Sequence, residues 1–178
     1  HSPTIFATSS FDREVKLWDL REGASKPIFT RTSNQGNVMV CFSPDDRYLL
    51  SSAVDNEVRQ YLAVDGRQTL QLEIASLGSE HNYTRSYFMN GADYIISGSC
   101  EESVVRVYCA NTGRFFRDIP LDDGAGPASL YVQSLRGDPF RPFHMSVLVA
   151  YNHPIAPSEM LEINLMARPC PESTSLAA

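Results

Sequence analysis

The sequence predicts an all-β fold built from a repeated four-stranded unit, with about three and a half such units in 178 residues. Three observations carry this. Residues 5–21 read as two short strands of alternating polarity around an Asp-bearing turn, the pattern of an antiparallel hairpin. The hairpin then recurs with an aromatic residue six positions after a turn acid: Asp12 and Trp18, Asp55 and Tyr61, Glu102 and Tyr108. Those aromatics lie 43 and 47 residues apart.

The elements follow in order. In the first unit Phe6, Thr8 and Ser10 alternate with Ile5, Ala7 and Ser9, and Val15, Leu17 and Asp19 alternate with Lys16 and Trp18. An outer strand is expected near 27–32. The second unit opens with a buried strand at 38–41, and Ser43-Pro44-Asp45-Asp46 supplies a turn because Pro presets one dihedral and Asp tolerates the bend. Strands at 48–53, 58–61 and 69–74 complete it. The third unit places strands at 85–88, 94–99, 105–108 and 114–119. The fourth is degenerate: strands at 129–134, 145–151 and 160–165, a long Arg/Pro loop at 136–142, and no Trp. The expected distribution is two, four, four and four strands, with the inner strand absent from the first unit. Residues 168–178, rich in Pro, Ser and Ala, are expected to be a disordered tail.

The Trp18-Asp19 dipeptide and a period near 45 residues resemble the WD-repeat β-propeller family. The resemblance spans residues 1–167 and implies the C-terminal half of a propeller whose blades are these units. It implies a structural network of Asp12, Trp18, Asp55, Tyr61, Glu102 and Tyr108. Trp18 should be largely buried, its indole N–H donating to a hydroxyl of Thr8, Ser9 or Ser10, since a buried donor is costly to leave unpaired. No His clearly completes that network. An open half-propeller leaves blade faces uncovered and strand edges unpaired, so the segment alone is expected to associate or to unfold with low cooperativity.

Composition narrows the function classes. A hydrophobic fraction of 43% and a charged fraction of 20% fit a globular chain. No apolar run approaches a membrane span, and no signal peptide is evident. The net charge is -6 and only Lys16 and Lys26 are lysines among 15 basic residues, which argues against bulk phosphate or nucleic-acid binding. Cys41, Cys100, Cys109 and Cys170 form no C-x-x-C pair and fit a reducing compartment, the nucleus or cytoplasm. No catalytic motif is present: no G-x-S-x-G, no P-loop, no H-E-x-x-H. His144 and His153 lack a third ligand for a metal. No enzyme activity, cofactor or metal is therefore expected. Arg114, Arg117, Arg136 and Arg141 read as a solvated face.

The sharper signal is Trp18-Asp19-Leu20-Arg21. The window 6–21 resembles the box of WD proteins that dock on the damaged-DNA-binding adaptor of cullin-4 ubiquitin ligases. Small residues Ala7, Thr8 and Ser9 come early, then Asp12, the aliphatics Val15 and Leu17, and W-D-x-R. Phe6 departs from the usual aliphatic. The second and third units lack the box, with Leu62 and Val64, then Cys109 and Asn111, in the acid and basic slots. The resemblance implies a substrate receptor with protein partners: the adaptor, held through Asp19 and Arg21, and a target. On one strand those two side chains would share a side, and Arg is a favoured interface anchor. A second reading pairs Asp19 with Arg21 structurally, in a general WD scaffold of another assembly such as RNA processing, chromatin or trafficking.

Overall fold

The computed structural model describes residues 2–23, 25–54, 56–74, 83, 85–99, 102–121, 130–138, 140–151 and 158–166. Among these residues, fourteen strands form four antiparallel sheets in chain order. The first holds β1 (Ile5–Ser9), β2 (Glu14–Asp19) and β3 (Phe29–Thr32). The second holds β4 (Asn37–Phe42), β5 (Tyr48–Ala53), β6 (Val58–Leu62) and β7 (Gln68–Leu72). The third holds β8 (Ser86–Met89), β9 (Tyr94–Gly98), β10 (Val104–Cys109) and β11 (Phe115–Pro120). The last holds β12 (Leu130–Gly137), β13 (His144–Tyr151) and β14 (Glu159–Asn164).

Each sheet is a meander, so each new strand pairs with the one just made and no crossover is needed. The strands distribute as three, four, four and three, matching the stretches placed one by one in the sequence rather than the tally of two, four, four and four. The expected outer stretch near 27–32 pairs with β2 as β3, which completes three strands in the first sheet. The last sheet has three among the described residues. The tail 168–178 lies outside them.

One hydrogen bond recurs in every sheet. The residue after the third strand of the repeat donates its N–H to the residue before the second: Leu20 to Thr4, Ala63 to Arg47, Ala110 to Asp93 and Leu165 to Phe143, at 2.9–3.0 Å. This rung places Trp18, Tyr61, Tyr108 and Ile163 in one slot. It places Arg21, Val64, Asn111 and Met166 in another.

The cores lie between the sheets. Leu17, Phe29, Leu49 and Tyr61 pack the first sheet on the second. Leu50, Val58, Phe88, Ile95 and Tyr108 pack the second on the third. Ile96, Val105, Val107, Leu135, Met145 and Val147 pack the third on the fourth. Polar contacts pin the first interface: Arg31 donates through Nε to Gly66 O (2.6 Å) and through Nη2 to Asp65 O (2.9 Å). Gly66 sits at φ +69°, and a Cβ there would meet the Phe29 ring at 2.6 Å, so the turn and the ring approach only because Gly lacks one.

Tyr61 is 1% exposed and its hydroxyl has no hydrogen-bond partner among the described residues. Tyr61→Ala is expected to cost about 3–5 kcal/mol, the range for a buried large aromatic. Tyr61→Phe should leave stability unchanged or raised, because it removes an unpaired buried polar group and keeps the ring. Urea unfolding of the two variants checks both outcomes.

Candidate docking site

The site grows from the end of β2. Asp19 has extended backbone angles (φ −119°, ψ 116°) and caps a short 3-10 turn, Leu20–Glu22. Its Oδ1 accepts from the Arg21 N–H at 2.9 Å, as a capping carboxylate does for an orphan donor. Gly23 closes the turn at φ +80°, a left-handed value that suits Gly. Arg21 is thus on the turn and not on the strand, which corrects the expectation of a shared strand side. The cap brings the two side chains together instead.

Arg21 donates to the Asp19 carboxylate through Nε (3.0 and 3.1 Å) and Nη2 (2.6 Å). This is the bidentate fork that guanidinium geometry favours. Asp19 is buried, while the Arg21 side chain is 66% exposed. The hydrogen bonds from the Arg21 side chain and then its backbone N–H hold the Asp19 carboxyl below the usual carboxylate range. The guanidinium is engaged by a buried carboxylate, the pairing that the second, structural reading expects, while its exposure keeps it reachable. Asp19 lies beneath Arg21 and lines the same groove.

The pair opens onto a cavity of about 420 Å³ between the first two sheets. Ile5, Leu17, Ile28, Phe42, Ala63 and Val64 give it apolar walls, and Asp46 lines it too. Ile28 is 45% and Val64 79% exposed. Sequence reasoning missed this groove because its walls come from five separate segments. Val64, read from sequence as merely the second unit's empty basic slot, lines the groove beside Arg21. Only the interlocking of successive sheets makes that visible.

The other residues singled out in the sequence fall as follows. The Trp18 indole N–H donates to Thr8 Oγ1 at 2.9 Å. Trp18 is half-buried rather than largely buried, stacked on Phe6 at 6.1 Å between ring centres. Its slot mates Tyr61 and Tyr108 are covered by the preceding sheet, and no sheet precedes the first among the described residues. Asp12 is exposed and accepts from the Glu14 N–H at 3.0 Å, so it shapes the turn and does not extend the Trp18–Thr8 bond. Asp55 lies outside the described residues, as do His153, Cys100 and Cys170. Glu102 pairs with Arg106 rather than with Tyr108. In the second sheet Glu57 pairs with Arg59 at 2.5 Å and accepts from the N–H groups of Asn34 and Gln35. Burial pushes the Cys41 thiol up to about 12, which suits a packing residue rather than a nucleophile.

The ion pair carries a pH signature. A lowered Asp19 value means its contribution is complete above about pH 4, the ordinary Asp value. It is lost as pH falls through the lowered folded-state value. The gap in Tm between wild type and Asp19→Asn is expected to be widest near neutrality and to close on acidification. Thermal melts across that range measure it.

Comparison with known proteins adds kinship to this geometry. The family model for the WD domain, G-beta repeat, matches residues 25–61. The chain is 64% identical over 168 residues to the Arabidopsis thaliana protein DWD HYPERSENSITIVE TO UV-B 1, covering 94% of this chain and 22% of that protein. It therefore spans about a fifth of that relative's length. Mouse DNA damage-binding protein 2 is 37% identical over 70 residues, covering 38% of this chain and 16% of that protein. The Anopheles gambiae ribosome biogenesis protein WDR12 homolog is 36% identical over 64 residues, covering 34% and 15%. Among solved structures, the computationally designed Ika4 protein superposes with a TM-score of 0.64 at 19% identity, covering 92% of this chain and 88% of that one. At that identity the likeness is of fold alone.

Proposed function

This chain is a WD-repeat protein with a partial β-propeller fold, and from that premise we propose that it is a substrate receptor docking on the damaged-DNA-binding adaptor of a cullin-4 RING ubiquitin ligase. The coarser role, a non-catalytic protein-binding scaffold, is that of WD40 repeats generally. The finer role rests on one observation: a bidentate Asp19–Arg21 pair at the mouth of an apolar groove. Asp19 fixes the guanidinium, so little rotamer freedom remains to be lost on binding. The uncommitted N–H groups of Arg21 then meet an adaptor carbonyl or carboxylate, and an adaptor side chain enters beside Val64 and Ile28. The relatives' names support the reading, since one is named for hypersensitivity to UV-B and another for binding DNA damage. A nuclear or cytoplasmic site of action follows from it.

A second reading, a scaffold of another assembly, is favoured by the similarity to ribosome biogenesis proteins over a comparable stretch. Co-purification with mass spectrometry separates the two, by recovery of the adaptor or of a different stable complex.

Arg21→Ala in the full-length protein is expected to weaken adaptor binding by about 30-fold or more, corresponding to the roughly 2 kcal/mol of an interface hot spot. Some stability should be lost as well, because Arg21→Ala leaves the buried Asp19 carboxylate without its guanidinium partner. Asn111→Ala should leave adaptor binding intact, since its turn belongs to another sheet, whereas Val64→Ala should weaken it. A lowered melting temperature with unchanged capture of the adaptor by Arg21→Ala would overturn the proposal.

A further inference from the structure

We propose that the groove between the third and fourth sheets is a second binding site, for a peptide segment of a partner protein that sets a bulky apolar side chain beside an acidic one. The groove has a volume of about 450 Å³, a size suited to one or two side chains. Met89, Tyr94, Phe116, Phe143 and Met166 form its walls, and Arg117 lines it as well.

The recurring rung makes this groove the counterpart of the one at Arg21: Met166 stands where Val64 stands, after the third strand of the next sheet. The charge differs. The Arg21 groove holds Asp19, Asp46 and Arg21. Here Arg117 is the one charged residue among the described lining, and its guanidinium has no hydrogen bond or ion pair with a described residue. Arg117 is exposed, in a chain of net charge -6. A guanidinium without a partner among the described residues, beside an apolar wall, complements a carboxylate next to a large apolar side chain.

Two backbone features build the wall. The pairing of β10 with β11 runs Val107 with Arg117 and then Tyr108 with Phe115, leaving Phe116 as the extra residue of a bulge. Bulges re-aim side chains, and the Phe116 ring lies 5.6 Å from Tyr94. The second sheet has the same bulge, but its extra residue is Thr69, whose hydroxyl is absorbed by Gln60 O. Phe143 stands at φ +61° in the turn before β13. The corresponding turns use Asp46, Asn90 and Gly91 at positive φ, residues that tolerate it. A bulky residue there is an outlier, and such strain collects at binding sites. The strained turn brings the Phe143 ring within 6.1 Å of Tyr94. Phe116 remains 61% and Met166 87% exposed, so this apolar surface is still available to a ligand. A bare aromatic cage would also take a cation. Arg117 selects against one.

The test uses the full-length protein and fluorescence anisotropy with two labelled hexapeptides, GDLFDG and GKLFKG. The acidic peptide is expected to bind saturably and about tenfold or more tighter than the basic one, a difference of about 1.4 kcal/mol. Arg117→Glu should invert that preference. Phe143→Gly, which suits the left-handed backbone and so keeps the fold, should abolish binding of both peptides. Arg21→Ala should leave peptide binding intact and impair only adaptor capture, which separates this site from the docking proposal. Absence of saturable binding, tighter binding of the basic peptide, or indifference to both Arg117→Glu and Phe143→Gly would overturn it.

Discussion

Face-to-face burial between consecutive sheets is the constraint on which everything else here depends. A three- or four-stranded meander has two faces and cannot bury both on itself. Each sheet therefore completes its neighbour, and the cores lie at the interfaces. Tyr61 and Tyr108 carry this burden because they stand in the repeat slot that meets the preceding sheet. Trp18 occupies the same slot in the first sheet and is half-buried, stacked on Phe6 and hydrogen-bonded to Thr8. Ile163, in the same slot of the fourth sheet, packs on the core it shares with the third sheet and is half-buried.

The same stacking creates the grooves. Where the turn of one sheet leans over the next, the ends of two strands and two turns enclose a cavity at the rim. The rung linking the residue after the third strand to the residue before the second keeps these rims alike. Chemistry then varies on a constant frame. One rim carries the Asp19–Arg21 fork. Another carries Cys109 and Asn111 in those slots, with an aromatic wall and Arg117 across the groove. A scaffold of this kind can differentiate its contacts rim by rim without disturbing the cores.

The Asp19–Arg21 pair shows how a local motif gains meaning from its place. As a pair it is ordinary: a capping carboxylate and a guanidinium two residues on. The burial of Asp19 fixes one end, and the exposure of Arg21 frees the other. The result is a cation held at a defined point on a surface of a net acidic chain.

Much of the fold was legible in the sequence by itself. Period-two alternation marks strands because successive side chains leave a sheet on opposite faces. Thus 48–53 was read within the bounds that β5 adopts, and the hairpins ending in Trp18, Tyr61 and Tyr108 were placed by their turns and spacing. The candidate pair was legible too, since W-D-x-R is contiguous. What the sequence did not determine is contact across sheets. The groove walls at Ile5, Phe42 and Val64 are far apart along the chain, and no period announces their meeting. The Phe116 bulge, the left-handed Phe143 and the contacts of Glu57 with Arg59, Asn34 and Gln35 are of the same kind. Local patterning fixes strands because its physics acts over two to four residues. Grooves and carboxylate partners are settled by packing between sheets, and only the tertiary structure decides them.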